Sequence, residues 1–279
     1  VVEHAVRIHP GASALLLDSP HSGVHYPADF GHALPLMRLR EAEDTHVEKL
    51  FAPLAAQGAT LVEAQFPRSY IDPNRAQDDI DLQLLDRPWP GAVNPTRKAA
   101  LGKGLVWRCL DDGTPIYQRR LSVAEIERRM NHYWRPYWDA LNQQAQRLRQ
   151  AHGKLYHINC HSMPSQAAAF ATDQGGAGRI HPDFVVGDRD GTTCDTAFSG
   201  FVAEFLRAQG YAVAYNDPYK GVEIVRLLGA PNQAQHSIQL EVNRRLYMDE
   251  TTRELHAGFA GLQRVLAQLG EALTKKFAL

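Results

Sequence analysis

Three separated stretches of this chain each place a residue able to bind a metal or carry a proton just beyond a run of apolar side chains. His21 follows Leu15-Leu16-Leu17-Asp18-Ser19-Pro20, His161 follows Leu155-Tyr156-His157-Ile158-Asn159-Cys160, and Glu241 follows Ile238-Gln239-Leu240. Two imidazoles and a separate carboxylate are the parts of a one-metal hydrolase, which needs ligands, an open coordination position and a base. In an open α/β sheet, ligands gather beyond the carboxyl ends of the strands, so residues leaving three strands converge there.

Each residue also has a plainer reading. His21 precedes Ser22-Gly23, where a turn histidine in ordinary hydrogen bonds would also fit; His25 and His32 leave no strand directly and read as surface or supporting residues. Along the strand before His161, the two-residue period puts His157, Asn159 and His161 on one face and Tyr156, Ile158 and Cys160 on the other. Cys160 therefore points away from His161, which argues for a core residue and against a Cys–His nucleophile pair. A third ligand can come from Glu41-Ala42-Glu43-Asp44-Thr45-His46. On a continuous helix, Asp44 and Glu43 flank the buried stripe from opposite sides, Glu41 is turned further away, and His46 lies toward the opposite edge. An inward carboxylate needs a partner or a metal, so Asp44 and Glu43 are the candidates, and periodicity alone leaves the choice open. Glu241 suits a general base, or else an ion pair with Arg244 or Arg245. Arg68 can polarise a carbonyl and stabilise an oxyanion, and Asn74-Arg75 after Pro73 suit capture of a carboxylate by a guanidinium fork. Either arginine alone would be a solvated loop residue.

The elements that must position these residues follow from the pattern. Ser13 to Asp18, Thr60 to Phe66, Leu155 to Cys160, Asp183 to Val186, Tyr211 to Tyr215 and Ser237 to Val242 read as strands. Helical spacing is expected over Leu36 to Gln57, from Ser122 to about His152 behind a Ser122–Glu125 capping box, over Asp195 to Gln209, and over Thr251 to Leu273. Pro136 should kink or divide the second of these. The alternation predicts an α/β fold, three layers around a largely parallel or mixed sheet, in a single domain spanning residues 1–279. An irregular insertion at about 86–120, rich in Pro, Gly, Trp and Arg, reads as an active-site cover with one hairpin.

Composition narrows the partners. Of 279 residues, 44% are hydrophobic and 22% charged, which is ordinary for a globular chain. A formal net charge of -1 gives no general attraction to nucleic acid or anionic membranes, so an anionic substrate must be held by local arginines. Cys109, Cys160 and Cys194 have no CxxC spacing and cannot all pair within one chain, which favours a reduced, cytoplasmic setting. Nothing in the composition indicates an oligomeric state.

Taken together, these segments resemble the N-formylglutamate amidohydrolase family. The resemblance runs in order through Ser19-Pro20-His21-Ser22-Gly23, Glu43-Asp44-Thr45, Asp72-Pro73-Asn74-Arg75, Cys160-His161-Ser162-Met163, Gly187-Asp188-Arg189-Asp190-Gly191, Asn216-Asp217-Pro218-Tyr219-Lys220-Gly221 and Glu241-Val242-Asn243-Arg244. It implies a zinc-carboxypeptidase-like α/β fold and hydrolysis of N-formyl-L-glutamate to formate and L-glutamate, a step in histidine degradation. It implies one Zn²⁺ held by His21, Asp44 and His161, Glu241 as general base, and Arg68 polarising the carbonyl. Asn74 and Arg75 would hold one substrate carboxylate; a second carboxylate needs another cation, which by charge Arg189, Lys220 or Arg244 could supply. Members tend to carry another glycine after the Tyr-Lys-Gly stretch, where this chain has Gly221-Val222-Glu223. A deacylase of another N-acyl amino acid, or an exopeptidase, is thus the alternative. A non-catalytic amino-acid-binding protein would keep the arginines but need neither metal nor Glu241.

Overall fold

Every strand that carries a candidate residue lies in one sheet. In a computed structural model of the chain, which describes residues 5–168 and 172–279, the strands are β1 (Val6–His9), β2 (Leu15–Ser19), β3 (Thr60–Ala64), β4 (Leu155–Met163), β5 (Phe184–Gly187), β6 (Val213–Tyr215) and β7 (Gln235–Asn243). The helices are α1 (Leu36–Leu39), α2 (Val47–Ala56), α3 (Arg97–Ala100), α4 (Val123–Arg129), α5 (Arg135–His152), α6 (Thr196–Ala208), α7 (Glu223–Leu228) and α8 (Gly258–Phe277). The seven strands take the order β1-β3-β2-β4-β7-β5-β6. β3, β2, β4 and β7 run parallel, as do β5 and β6, while β1 against β3 and β5 against β7 are antiparallel. The fold is α/β with a mixed, mostly parallel sheet. β1 escapes the sequence pattern because it is a four-residue edge strand with largely exposed side chains.

The two faces of the sheet differ in chemistry. Leu15, Leu17, Ile158, Cys160, Ile238, Leu240 and Val242 point to one side, where they pack with α2, α6 and α8 in a dry core. Burying this set against aliphatic helix stripes is the main stabilising term, at roughly 1.5–3 kcal/mol per large apolar side chain. The neighbouring positions Asp18, His157, Asn159, His161, Ser237, Gln239 and Glu241 face the other way, toward α5 and the loops, and all are buried. Such a row persists only because its members bond one another. His157 joins Asp18 at 2.9 Å and Ser237 at 2.7 Å, and the Tyr137 hydroxyl of α5 donates to Asp18 at 2.6 Å.

Two helices depart from simple periodicity. The stretch Leu36 to Gln57 is not one helix: α1 passes through a 3₁₀ turn at Arg40–Ala42, Glu43 is extended (φ −74°, ψ 146°), and His46 is left-handed (φ 68°) before α2 begins. The break has a tertiary cause, since the Asp44 N–H donates to the carbonyl of His21 at 3.0 Å instead of to its own helix. The stretch after Ser122 opens with the full capping box. It then passes through a single π turn at Met130–Trp134, just ahead of Pro136 in the first turn of α5. The π turn shifts the hydrogen-bond ladder just ahead of the proline, and the helical backbone runs on through Pro136 without a break. Residues 86–120 contain only α3 and isolated bridges such as Lys103–Trp107 and Cys109–Pro115.

The segment bearing His21 leaves β2 and runs hard against the chain beyond β3. A Cβ at Gly23 would lie 2.4 Å from the Phe66 carbonyl oxygen and 2.5 Å from the Gln65 carbonyl carbon. These are backbone atoms that no rotamer change can move. Gly23→Ala should therefore lower unfolding stability by about 1–3 kcal/mol, as overpacking does. Urea denaturation measures this, and a shift below half a kcal/mol would show that the segment yields without strain.

Candidate active site

Toward the carboxyl ends of β2 and β4, His21, Asp44 and His161 come together, with their potential ligand atoms all within 4.8 Å of one another. Both imidazoles turn Nδ1 toward the same Asp44 oxygen, Oδ2, at 3.5 Å for His21 and 2.9 Å for His161. Their other nitrogens are engaged behind. His21 Nε2 meets Asp72 Oδ1 at 2.7 Å, and His161 Nε2 meets Asn159 Oδ1 at 2.6 Å. A carboxylate or amide oxygen at Nε2 keeps the proton there and leaves the Nδ1 lone pair facing inward, the usual support of a metal-binding histidine. The Asn159 amide is itself oriented, because its Nδ2 donates to Asp18 Oδ1 at 2.8 Å.

The fit to a divalent ion rests on what this arrangement leaves unsatisfied. His21 Nδ1 is buried and has no hydrogen-bond partner. An orphaned imidazole nitrogen, a second imidazole nitrogen and one carboxylate oxygen aimed at a common point form a donor set for a transition metal such as zinc. His21, Asp44 and His161 could thus hold a metal ion. Burial alone would raise the Asp44 carboxyl, but the close approach of His161 and His21 and the charge of Arg68 hold it well below the usual carboxylate range. Arg244 Nη2 donates to its Oδ1 at 3.0 Å, and Arg68 approaches at 3.6 Å. Asp72 has a similar balance: burial pushes it up, and Arg75, His21 and Arg68 overcome that and hold it well down. Glu43 is excluded from the cluster, bonded instead to Tyr26, Arg40 and Thr45, and His46 binds the carbonyl of Arg253.

Glu241 lies beside this group because His161 and Glu241 are register partners across β4 and β7. Burial, followed by the charge of Asp44, raises its carboxyl, against opposing pulls from His161 and Arg68. The Gln239 amide donates to Glu241 Oε1 at 2.7 Å. The adjoining cleft is lined by Asp44, His161 and Glu241 together with Arg68, Asn74, Arg75 and Arg244. Arg68 stacks over Trp107, its guanidinium carbon 4.8 Å from the ring centre. Arg75 stands at the wall with its fork donating to the carbonyls of Lys103 and Asn74. Asn74 caps the first turn of α7 by accepting from the Ile224 N–H at 3.0 Å.

Two proposed carboxylate anchors are placed elsewhere. Lys220 pairs with Asp190 on the exposed surface, and Arg189 donates to the carbonyl of Gly221; neither lines the cleft. Their distance has a simple cause, since surface cations in the 187–221 loops find nearer partners. The irregular stretch supplies Lys98, Lys103 and Trp107 to the cleft instead, and Asp173 ties the two lysines together at 2.7 and 2.8 Å. Sequence reasoning also missed the supporting roles of Asp72 and Asn159. Their signals were adjacency to Asn74-Arg75 and membership of the polar row on β4. Val222 lines the cleft, whereas Glu223 turns to Arg226. Cys160 is buried in the dry core with its thiol pushed well up by burial, so it offers no nucleophile.

The family model for N-formylglutamate amidohydrolase matches residues 13–248, most of the chain and every residue of the constellation. The chain belongs to the N-formylglutamate amidohydrolase family. An N-formylglutamate deformylase of Pseudomonas putida is 30% identical over 258 residues, covering 90% of this chain and 87% of its own. One from Pseudomonas aeruginosa is 29% identical over 253 residues, covering 89% and 87%. The crystal structure of an N-formylglutamate amidohydrolase from Ralstonia eutropha superposes with a TM-score of 0.92 at 45% identity, covering 98% of each chain. A solved protein from Agrobacterium tumefaciens shares the fold, with a TM-score of 0.71 at 17% identity over 99% of this chain and 96% of its own. Among the described residues, no helix is long and apolar enough to cross a membrane.

Support from behind the candidate ligands has a measurable consequence. Asp72→Asn keeps the shape but removes the charge that orients His21. Competition with a chelating dye should show metal affinity about 10–100-fold weaker. An unchanged affinity would remove Asp72 from that role.

Proposed function

We propose that this protein hydrolyses the formyl amide of N-formyl-L-glutamate, releasing formate and L-glutamate, with one Zn²⁺ held by His21, Asp44 and His161. The observation that carries the reading is the buried His–Asp–His group with supported imidazoles, set one register pair from a buried glutamate. When bound, the ion would activate water and polarise the acyl oxygen. Glu241 takes the proton of the attacking water and returns it to the departing nitrogen, which otherwise leaves as a poor amide anion. Arg68 has a buried Nε without a partner, a donor suited to the oxyanion that develops at the former carbonyl.

The substrate is a dianion, and the cleft offers cations at several points. Arg75 with Asn74 and, of the three cations considered for a second carboxylate, Arg244 line it. A divalent charge at the metal group adds to this. The family and the relatives' deformylase activity favour the formyl amide of glutamate. Val222 at the wall favours the second reading, another N-acyl amino acid cleaved by the same groups.

Two measurements test the proposal. Formate should be released from N-formyl-L-glutamate by zinc-loaded protein, vanish on chelation and return with zinc. No release from folded, zinc-loaded protein, with turnover of a different N-acyl amino acid, would assign the second reading. Glu241→Gln should retain the metal, by elemental analysis, while turnover falls on the order of 100-fold to 10,000-fold. Undiminished turnover would mean that the proton is carried elsewhere.

A further inference from the structure

Two buried side-chain atoms of the cleft lack hydrogen-bond partners among the described residues, and they are of opposite kinds. Arg68 Nε is a donor, and Gln239 Oε1 is an acceptor. A secondary amide presents one acceptor and one donor, its C=O and its N–H. The two orphans match that pair, and Arg68 has already been given the carbonyl side.

The orientation of Gln239 is settled by its neighbour. A carboxylate has no proton to give, so the Gln239 NH₂ must face Glu241, where the 2.7 Å contact lies, and Oε1 must face away from it. The side chain is only 3% exposed, which makes an unmet acceptor costly. Asn159, its register partner on β4, does not satisfy it; that amide turns its Nδ2 to Asp18 and its Oδ1 to His161. N-formylglutamate with both carboxylates ionised carries a single conventional hydrogen-bond donor, the amide N–H.

We propose that Gln239 is a specificity-determining residue whose Oε1 accepts the N–H of the scissile amide, while its Nε2 donates to Glu241. This inference rests on the reading of the protein as an amidohydrolase of N-acyl amino acids. One side chain then holds both the general base and the nitrogen to which that base returns its proton. The site thereby selects a secondary amide over an ester of the same shape, whose bridging oxygen would meet Oε1 acceptor to acceptor.

The test compares N-formyl-L-glutamate with N-formyl-N-methyl-L-glutamate, in which a methyl group replaces the amide hydrogen and the leaving atom stays nitrogen. Formate release gives kcat/KM for both, using zinc-loaded wild-type, Gln239→Met and Gln239→Asn proteins. Losing the bond to Glu241 weakens proton delivery to a leaving nitrogen in both substrates and cancels in their ratio, as it would not against an ester. The ratio of secondary to tertiary amide should fall on the order of 10-fold to 100-fold in Gln239→Met. Gln239→Asn, too short to serve both partners, should move it in the same direction, and it stands in if the methionine variant does not fold. Equal losses on both amides in an active series would overturn the role. Wild-type protein that releases no formate from N-formyl-L-glutamate would instead signal failure of the underlying reading.

Discussion

The site depends on the neutralisation of one buried negative charge. Asp44 sits almost fully out of solvent, and an isolated carboxylate there would carry a desolvation penalty of several kcal/mol. It persists because Arg68 and Arg244 bring positive charge to it from two separate parts of the chain, while His21 and His161 turn toward it the nitrogens with which it could share a cation. That requirement explains local features that would otherwise look arbitrary. The helix before Val47 breaks so that Asp44 can leave its own hydrogen-bond ladder for the carbonyl of His21. The loop after β3 folds back so that Arg68 and Asp72 stand against the same group.

What the sequence made legible follows from this. His21 and Glu241 could be located because they follow apolar runs that read as strands, and His161 because the two-residue period sets it on a polar row opposite apolar partners. Choosing Asp44 over Glu43 was beyond periodicity, since that argument assumed a helix that tertiary contact interrupts. Arg189 and Lys220 were chosen for their charge alone, and charge says nothing of which acid lies nearest; for Lys220 it is Asp190. Lys98, Lys103 and Trp107 belong to a stretch with almost no regular structure, where no pattern tells a cleft-lining side chain from a solvated one.

The polar row of the sheet shows how a buried site is kept rigid without apolar packing. Asp18 joins Tyr137, His157 and Asn159 in one hydrogen-bonded set, and Asn159 passes that order on to His161. Every member is nearly or fully buried, so each bond forms in a low-dielectric setting where leaving it unmade is expensive. The helix α5 is thus more than a layer covering the sheet. Through one hydroxyl it helps fix the direction in which a histidine three links away presents its lone pair.

The origin of the cleft walls separates two functions along the chain. His161 and Glu241, beside the candidate metal group, project from strands that the sheet cannot shift without losing its core. By contrast, Lys98, Lys103 and Trp107 hang on a connection with almost no regular structure, pinned to the core by Leu105, Leu110 and Ile116 and tied at its polar side chains by ion pairs. A change of recognition in this stretch therefore falls on irregular backbone whose exposed and cleft-facing positions can vary only while its apolar anchors stay in the core.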